Sequence, residues 1–145
     1  MKKVRAVLAY VNGSSTDANV VEMACEVGKR SRSRVHVIYV IQVKRELPLT
    51  AEIQPEVDKG ERVLGEAERV AEAYGYQIET EILQAREIGP AVVDEAVERS
   101  CDLVILGVPF HMRMGSFDVG AAVDYVLKSA PAWVWLIRGP MGEHS

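Results

Sequence analysis

The chain predicts an α/β protein, a parallel sheet with helices on both faces, and three observations carry that reading. Strand-like apolar runs alternate with helix-period segments along the whole chain. The two strongest runs, residues 4–11 (VRAVLAYV) and 34–43 (RVHVIYVIQV), are apolar at nearly every position, as strands buried on both faces are. The composition is that of a globular protein, with 145 residues, 48% hydrophobic and 26% charged. A chain of this size buries enough surface to hold a core without staples, and it is expected to form one domain over residues 1–145. The same composition excludes a disordered chain, a collagen and a disulfide scaffold.

After the first strand, Asn12-Gly13-Ser14-Ser15 reads as a turn, and Thr16 or Asp17 is placed to cap a helix. Val20, Ala24, Val27 and Ser31 recur at helical spacing and give that helix its inner face. The basic cluster from Lys29 to Arg34 falls at its end, where cations complement the helix dipole. The second strand, 34–43, leads into a long loop over residues 44–55. A helix over 56–74 follows, with Val63, Leu64, Ala67, Val70, Ala71 and Tyr74 on one face and Gly75 to end it. Residues 76–83 alternate polar and apolar, the pattern of a strand near a sheet edge. Pro90 suits the first turn of a third helix whose inner face is Val92, Val93, Ala96 and Val97. The fourth strand is 101–106 (CDLVIL), ended by Gly107. A loop over 108–119 precedes the last helix, 120–129, and Pro131 opens a fifth strand over 132–138 (AWVWLIR). Residues 139–145 read as a frayed polar tail.

Seventeen basic and 21 acidic residues give a net charge of −4, which is no nucleic-acid footprint. No apolar run approaches the roughly 18 to 20 residues of a membrane helix. The start of the chain has no small-residue cleavage site, so no signal peptide is expected. Cys25 and Cys101 sit among apolar neighbours and read as buried reduced thiols of a cytoplasmic protein. Neither has a local partner that would activate it. The histidines and cysteines share no metal-ligand spacing. His36 alternates with Val35 and Val37 and reads as a satisfied structural histidine. Asp94, Glu95 and Glu98 read as the solvated face of the third helix. There is no Walker lysine motif, no nucleophile elbow and no constellation for acid–base work, so no catalytic residue is expected. In such sheets ligands bind past the carboxyl ends of the strands, where strand order reverses. The turn after strand one and the loop after strand four are the two candidates.

These pieces, in this order, resemble the universal stress protein family. The resemblance is carried by Val11-Asn12-Gly13-Ser14 after strand one, Arg34-Val35-His36-Val37 with Val40 in strand two, and Asp102 to Gly107 in strand four. Asp124 to Pro131 and the strand ending at Arg138 complete it. The resemblance implies a Rossmann-like, adenine-nucleotide α-hydrolase-like three-layer sandwich with strand order 3-2-1-4-5, commonly a homodimer. Many members bind ATP or AMP and others do not, so the resemblance offers those nucleotides as candidate ligands without fixing either. In the binders an Asp at the first turn and a Val ending strand two contact the adenosine. The phosphates lie on a loop of Gly, two residues, Gly, nine residues, Gly and Ser or Thr.

On that pattern the nucleotide positions are Asn12, Gly13, Val40, Gly107, Phe110, Gly120 and Ala121. Gly107, Gly120 and Val40 match. Asn12 stands for the Asp and loses its charge assistance. Phe110 stands for the second glycine, putting a ring where bare backbone should meet phosphate. Ala121 stands for the Ser or Thr and has no hydroxyl. Asp118, just before the expected helix start, would compete with a phosphate for free amides. His111 and Arg113 read as solvated loop residues or as outer anion contacts, and Met112 and Met114 as packing or an adaptable surface.

The last strand lies at an edge in the implied order. Trp133, Trp135 and Ile137 share one of its faces, Val134 and Leu136 the other. An apolar edge needs covering, and the resemblance implies a second subunit pairing there, so these five residues form the expected dimer interface. The alternative is that both tryptophans pack on the protein's own last helix. Three functions fit: a non-catalytic stress-response homodimer with a degenerate nucleotide site, an ATP- or AMP-responsive switch, or a slow ATPase, the weakest because nothing is placed to activate a nucleophile. Neither nucleic acid nor membrane is an expected partner; other proteins are.

Overall fold

The computed structural model describes residues 3–108 and 118–140. Along the chain run β1 (Ala6–Tyr10), α1 (Asp17–Ser31), β2 (Arg34–Gln42), α2 (Gln54–Tyr74), β3 (Glu79–Ala85), α3 (Ile88–Glu98), β4 (Leu103–Val108), α4 (Asp118–Ser129) and β5 (Trp133–Arg138). The strands pair in parallel in the order β3-β2-β1-β4-β5. Helices α1 and α2 pack together over one face, α3 and α4 over the other.

The side chains sort by the two-residue period of a strand. Val7, Ala9 and Val11 of the first strand, with Val35, Val37, Tyr39 and Ile41 of the second, enter the core under α1 and α2. Ala6, Leu8 and Tyr10, with Ile38 and Val40, enter the core under α3 and α4. β1 is buried at every position, and β2 at all but its two ends. Both therefore read as continuous apolar runs.

Several boundaries differ from the sequence reading, each for a local reason. α2 begins at Gln54 rather than 56, with Pro55 in its first turn, where a missing N–H costs nothing. Gly75 ends it in the left-handed conformation, φ 84°. The Tyr76 amide bonds the Ala71 carbonyl, so it completes that helix end and β3 starts only at Glu79. Likewise the Cys101 amide bonds the Ala96 carbonyl at 2.8 Å and belongs to the exit of α3. β4 thus runs two residues later than expected. It includes Gly107, which pairs with Ile137 instead of ending the strand. α4 opens at Asp118, so Asp118 is its first residue and not a residue before it. The inner face of α3 is turned as well: Val97 is 57% exposed, while Glu95, expected in solvent, is buried. Gly139, expected in the frayed tail, is buried, and its amide bonds the Val108 carbonyl. Residues 141–145 lie outside the described part.

The loop before α2 is tied to the edge strand beside it. Arg86 donates to the carbonyls of Lys44 (2.6 Å) and Leu47 (2.8 Å), and Gln84 to those of Leu49 (3.0 Å) and Ala51 (2.8 Å). Polar side chains of β3 and of the residue after it thereby hold the long segment against that edge of the sheet, which blunts it. Of the basic residues closing α1, Arg30 pairs with Glu26 on its own helix, whereas Lys29 acts beyond it. Lys29 donates to the Tyr74 carbonyl at 2.7 Å, capping α2, and lies 4.8 Å from the centre of the Tyr74 ring.

Asp102 fastens the start of the central strand. Its carboxylate accepts from the amides of Arg5 (3.0 Å) and Ala6 (3.1 Å), and its own amide donates to the Ala6 carbonyl. Asp102→Ala strands both amides and is expected to cost about 1–2 kcal/mol, read as a lower denaturation midpoint at unchanged slope. Asp102→Asn keeps one acceptor oxygen and should lose less. An unchanged midpoint in both variants would remove this role.

Candidate functional site

The carboxyl ends of β1 and β4 meet at the point where strand order reverses, with α1 leaving on one face and α3 and α4 arriving on the other. In open α/β sheets this is the place for a ligand. Among the described residues, the protein's own groups fill its α3/α4 side, and an open hollow of about 310 Å³ lies beside the turn, lined by Gly13, Ser14, Asp17, Arg62 and Val63 among others.

The turn after β1 is satisfied internally. Asp17, at the first position of α1, does not cap its helix. Its carboxylate reaches back and accepts from the amides of Asn12 (3.2 Å) and Gly13 (2.7 Å). The Asn12 Oδ1 accepts from the Ser14 amide at 3.1 Å, an Asx turn. Burial pushes the Asp17 carboxyl above its ordinary range, opposed by those two amides and by Lys59 nearby. Thr16 stands at the cap position without a side-chain cap bond. Its hydroxyl shares a hydrogen bond with Ser14 Oγ at 2.9 Å.

Gly107 is where the phosphate-loop pattern begins, but its open side faces α1. A Cβ there would stand 2.4 Å from Thr16 Oγ1 and 2.8 Å from Thr16 Cβ. The glycine is thus required by the first turn of α1 pressing on β4.

The opposite side of the crevice is filled by Tyr10, a residue the sequence reading passed over. Its ring is 8% exposed and lies in the core under α3 and α4. An enclosed cleft there is lined by Tyr10, Ile88, Val92, Leu106, Val123 and Val126, among others, with only about 10 Å³ of free space. That is at most one water. Burial, then the charges of Tyr39 and Asp17, push the Tyr10 phenol well above its ordinary pKa, and the nearby Asn12 side chain opposes the shift. The signal in the sequence was the alternation Ala6, Leu8, Tyr10, which places Tyr10 last on the α3/α4 side of the central strand.

Of the sequence-expected nucleotide residues, Asn12, Gly13, Val40 and Gly107 gather at this end of the sheet, with Val40 buried under α3 and α4. Gly120 is buried within α4, and Ala121 lines an open groove of about 570 Å³ between α3 and α4. Phe110, like His111, Met112, Arg113 and Met114, lies outside the described residues. Among the described residues no His, Cys, Asp and Glu cluster could hold a metal. Cys25 and Cys101 are free and buried. Burial raises both thiols, Cys101 to about 11, so neither is a nucleophile near neutral pH.

On β5, Trp135 and Ile137 pack toward the α1/α2 core and Val134 toward the other. The tryptophan face is therefore the one opposite α4, which removes the alternative that Trp135 packs on the last helix. Trp133 is 59% exposed and Leu136 is also exposed.

At the opposite end of the sheet, His36 is 4% exposed and its Nε2 has no partner. Arg99 Nη1 lies 3.3 Å from its Nδ1. Glu79 Oε1 lies 3.7 Å from the same Nδ1, so that nitrogen is contacted by both a cation and a carboxylate while the buried Nε2 is left without a partner. The expectation of a satisfied histidine is thus corrected. Arg99 also donates to Glu81 at 2.7 Å and to Glu95, which explains why Glu95 tolerates burial. The pair Glu95 and Arg99, four apart on a helix, was the sequence signal for it.

The sheet order, the two helical layers and the crevice at the strand reversal define a Rossmann-like α/β sandwich. The sequence profile of the universal stress protein family matches residues 3–138, and the chain belongs to that family. The universal stress protein MJ0531 of Methanocaldococcus jannaschii is 23% identical, covering 96% of this chain and 85% of the relative. Among solved structures, a universal stress protein in complex with cAMP superposes with TM-score 0.72 at 18% identity, covering 94% of this chain and 98% of that one. The universal stress protein from Archaeoglobus fulgidus in complex with dAMP gives 0.73 at 18%, covering 94% and 99%. UspA from Lactobacillus plantarum gives 0.73 at 20%, covering 95% and 100%. At these identities the structures establish the shared fold.

Burial lowers the His36 pKa first, then the Arg99 charge, against the opposing charges of Glu79 and Glu81. The folded state therefore resists the proton that the unfolded chain takes up near pH 6.5. Stability should be full above that value and fall as pH drops through it, by at most about 1.4 kcal/mol per pH unit. Glu95, raised mainly by burial, contributes with the opposite sign at lower pH, so the histidine component is read between pH 7 and 6. His36→Leu should abolish that slope and leave stability at pH 7 equal or higher, since it deletes an unpaired buried nitrogen. Denaturant melts at a series of pH values check this; an unchanged slope in the variant would contradict it.

Proposed function

We propose that this universal stress protein is a non-catalytic, cytoplasmic stress-response module, acting as a homodimer through β5 and binding partner proteins, with a degenerate adenine-nucleotide site. The observation that carries the reading is the internal saturation of the crevice. Asp17 takes the turn amides, the Asn12 Oδ1 holds the Ser14 amide, Thr16 covers Gly107, and Tyr10 leaves about 10 Å³ of free space in the enclosed cleft under α3 and α4. The larger hollows nearby, of about 570 Å³ beside Ala121 and about 310 Å³ beside Gly13, lie outside that cleft. Ala121 supplies no hydroxyl, and no described group is placed to activate a nucleophile, which supports a binding role over ATP hydrolysis. Two buried free thiols suit a reducing compartment. The exposed Trp133 and Leu136 on an edge strand support pairing with a second copy.

The second reading, an ATP- or AMP-responsive switch, is favoured by one observation, that solved relatives of the same fold carry cAMP and dAMP. A thermal-shift titration with ATP and AMP, with and without magnesium, separates the two. A ligand at about 100 times its Kd stabilises by about 2.7 kcal/mol, which at this size is a rise of roughly 5 to 10 °C. The degenerate site predicts no saturable rise at millimolar nucleotide. A rise of that size would make the switch the correct function.

The dimer is tested separately by sedimentation. The unmodified chain should run as a dimer, and Leu136→Lys, which puts a charge on the exposed edge strand, should run as a monomer with unchanged secondary structure. A monomer before substitution would end the β5 interface.

A further inference from the structure

Tyr10 is a large amphiphile at the one place in the sheet where a ligand would enter. Its ring lies between the ends of β1 and β4 on one side and Ile88, Val92, Val123 and Val126 of α3 and α4 on the other. Its hydroxyl lies toward the polar rim, near the Asn12 side chain. A flat apolar slot with a hydrogen-bonding edge is what a heteroaromatic base with an attached sugar requires. The rim around it stands without Tyr10, because the turn amides are fixed by Asp17 and the Asn12 turn by Ser14.

We propose that Tyr10 is the specificity-determining residue of this crevice, a built-in occupant whose ring takes the space of a nucleobase and excludes adenine nucleotides. This rests on the reading above that the crevice is a degenerate nucleotide site, and it names the group that closes it. The excluded ligand class is a purine nucleoside phosphate. The bar is steric, since the neighbouring walls from Val40, Ile88 and Leu106 are apolar and already formed.

The test uses the full chain with Tyr10→Ala and Tyr10→Phe, and two probes, AMP and phenol. Removing the ring leaves a lined apolar cavity of the kind that takes up small aromatics, so Tyr10→Ala should gain a saturable thermal shift with phenol. With AMP it should bind at least tenfold more tightly than the unmodified chain by calorimetry. Tyr10→Phe keeps the ring and should bind neither. If Tyr10→Ala does not fold, Tyr10→Val opens a smaller part of the same space and is read in the same way. An Ala variant that binds AMP no better than the unmodified chain would overturn the steric bar, and measurable AMP binding by the unmodified chain would overturn the degenerate-site reading with it. A variant that takes phenol but not AMP would overturn the inference and the nucleotide-site reading together. Binding by Tyr10→Phe would show that the hydroxyl, not the ring, closes the crevice, and would also overturn it.

Discussion

The complete burial of β1 is the constraint on which the structure depends. It lies in the middle of the sheet, paired on both sides and covered on both faces, so no side chain from Ala6 to Val11 reaches solvent freely. A strand in that position has no surface residues to spend on a ligand unless a cavity is left at its end. Here the last residue on the α3/α4 side is a tyrosine, and core packing at native density carries through to the rim. On the other side α1 approaches β4 so closely that only Gly107 fits beneath Thr16. What this end of the sheet can bind follows from how the core ends.

The layered fold was legible because its strongest elements obey local rules. The unbroken apolar runs of β1 and β2 and the apolar faces of α1 and α2 need no tertiary information. Boundaries were less legible where a helix and the next strand compete for the same residues. Tyr76 and Cys101 look like strand residues, yet their amides close the ends of α2 and α3. Strand pairing then sets the true start of β3 and β4. Glu95 and Val97 exchanged places, because the rotation of α3 is fixed by its packing and by the reach of Arg99 to both Glu95 and Glu81.

The candidate site was half legible. Family resemblance located Asn12, Val40 and Gly107, which do gather at one end of the sheet. Their state was hidden, since Asp17 turning back on the loop and Tyr10 filling the cleft are three-dimensional facts. A motif can therefore persist as positions while its cavity is taken up by the core. His36 and Arg99 at the other end carry the same lesson. They look like a charge-rich strand end and helix end in sequence, and become a half-buried network only when β2, β3 and α3 meet.

The most direct test is an NMR titration of the chain carrying carbon-13-labelled tyrosine rings, with AMP raised to millimolar concentration. If the crevice is already occupied by the protein, the Tyr10 ring signals stay in place throughout. Saturable movement of the Tyr10 signals would mean that nucleotide enters beside or in place of the ring, and the account of a self-filled crevice would be wrong.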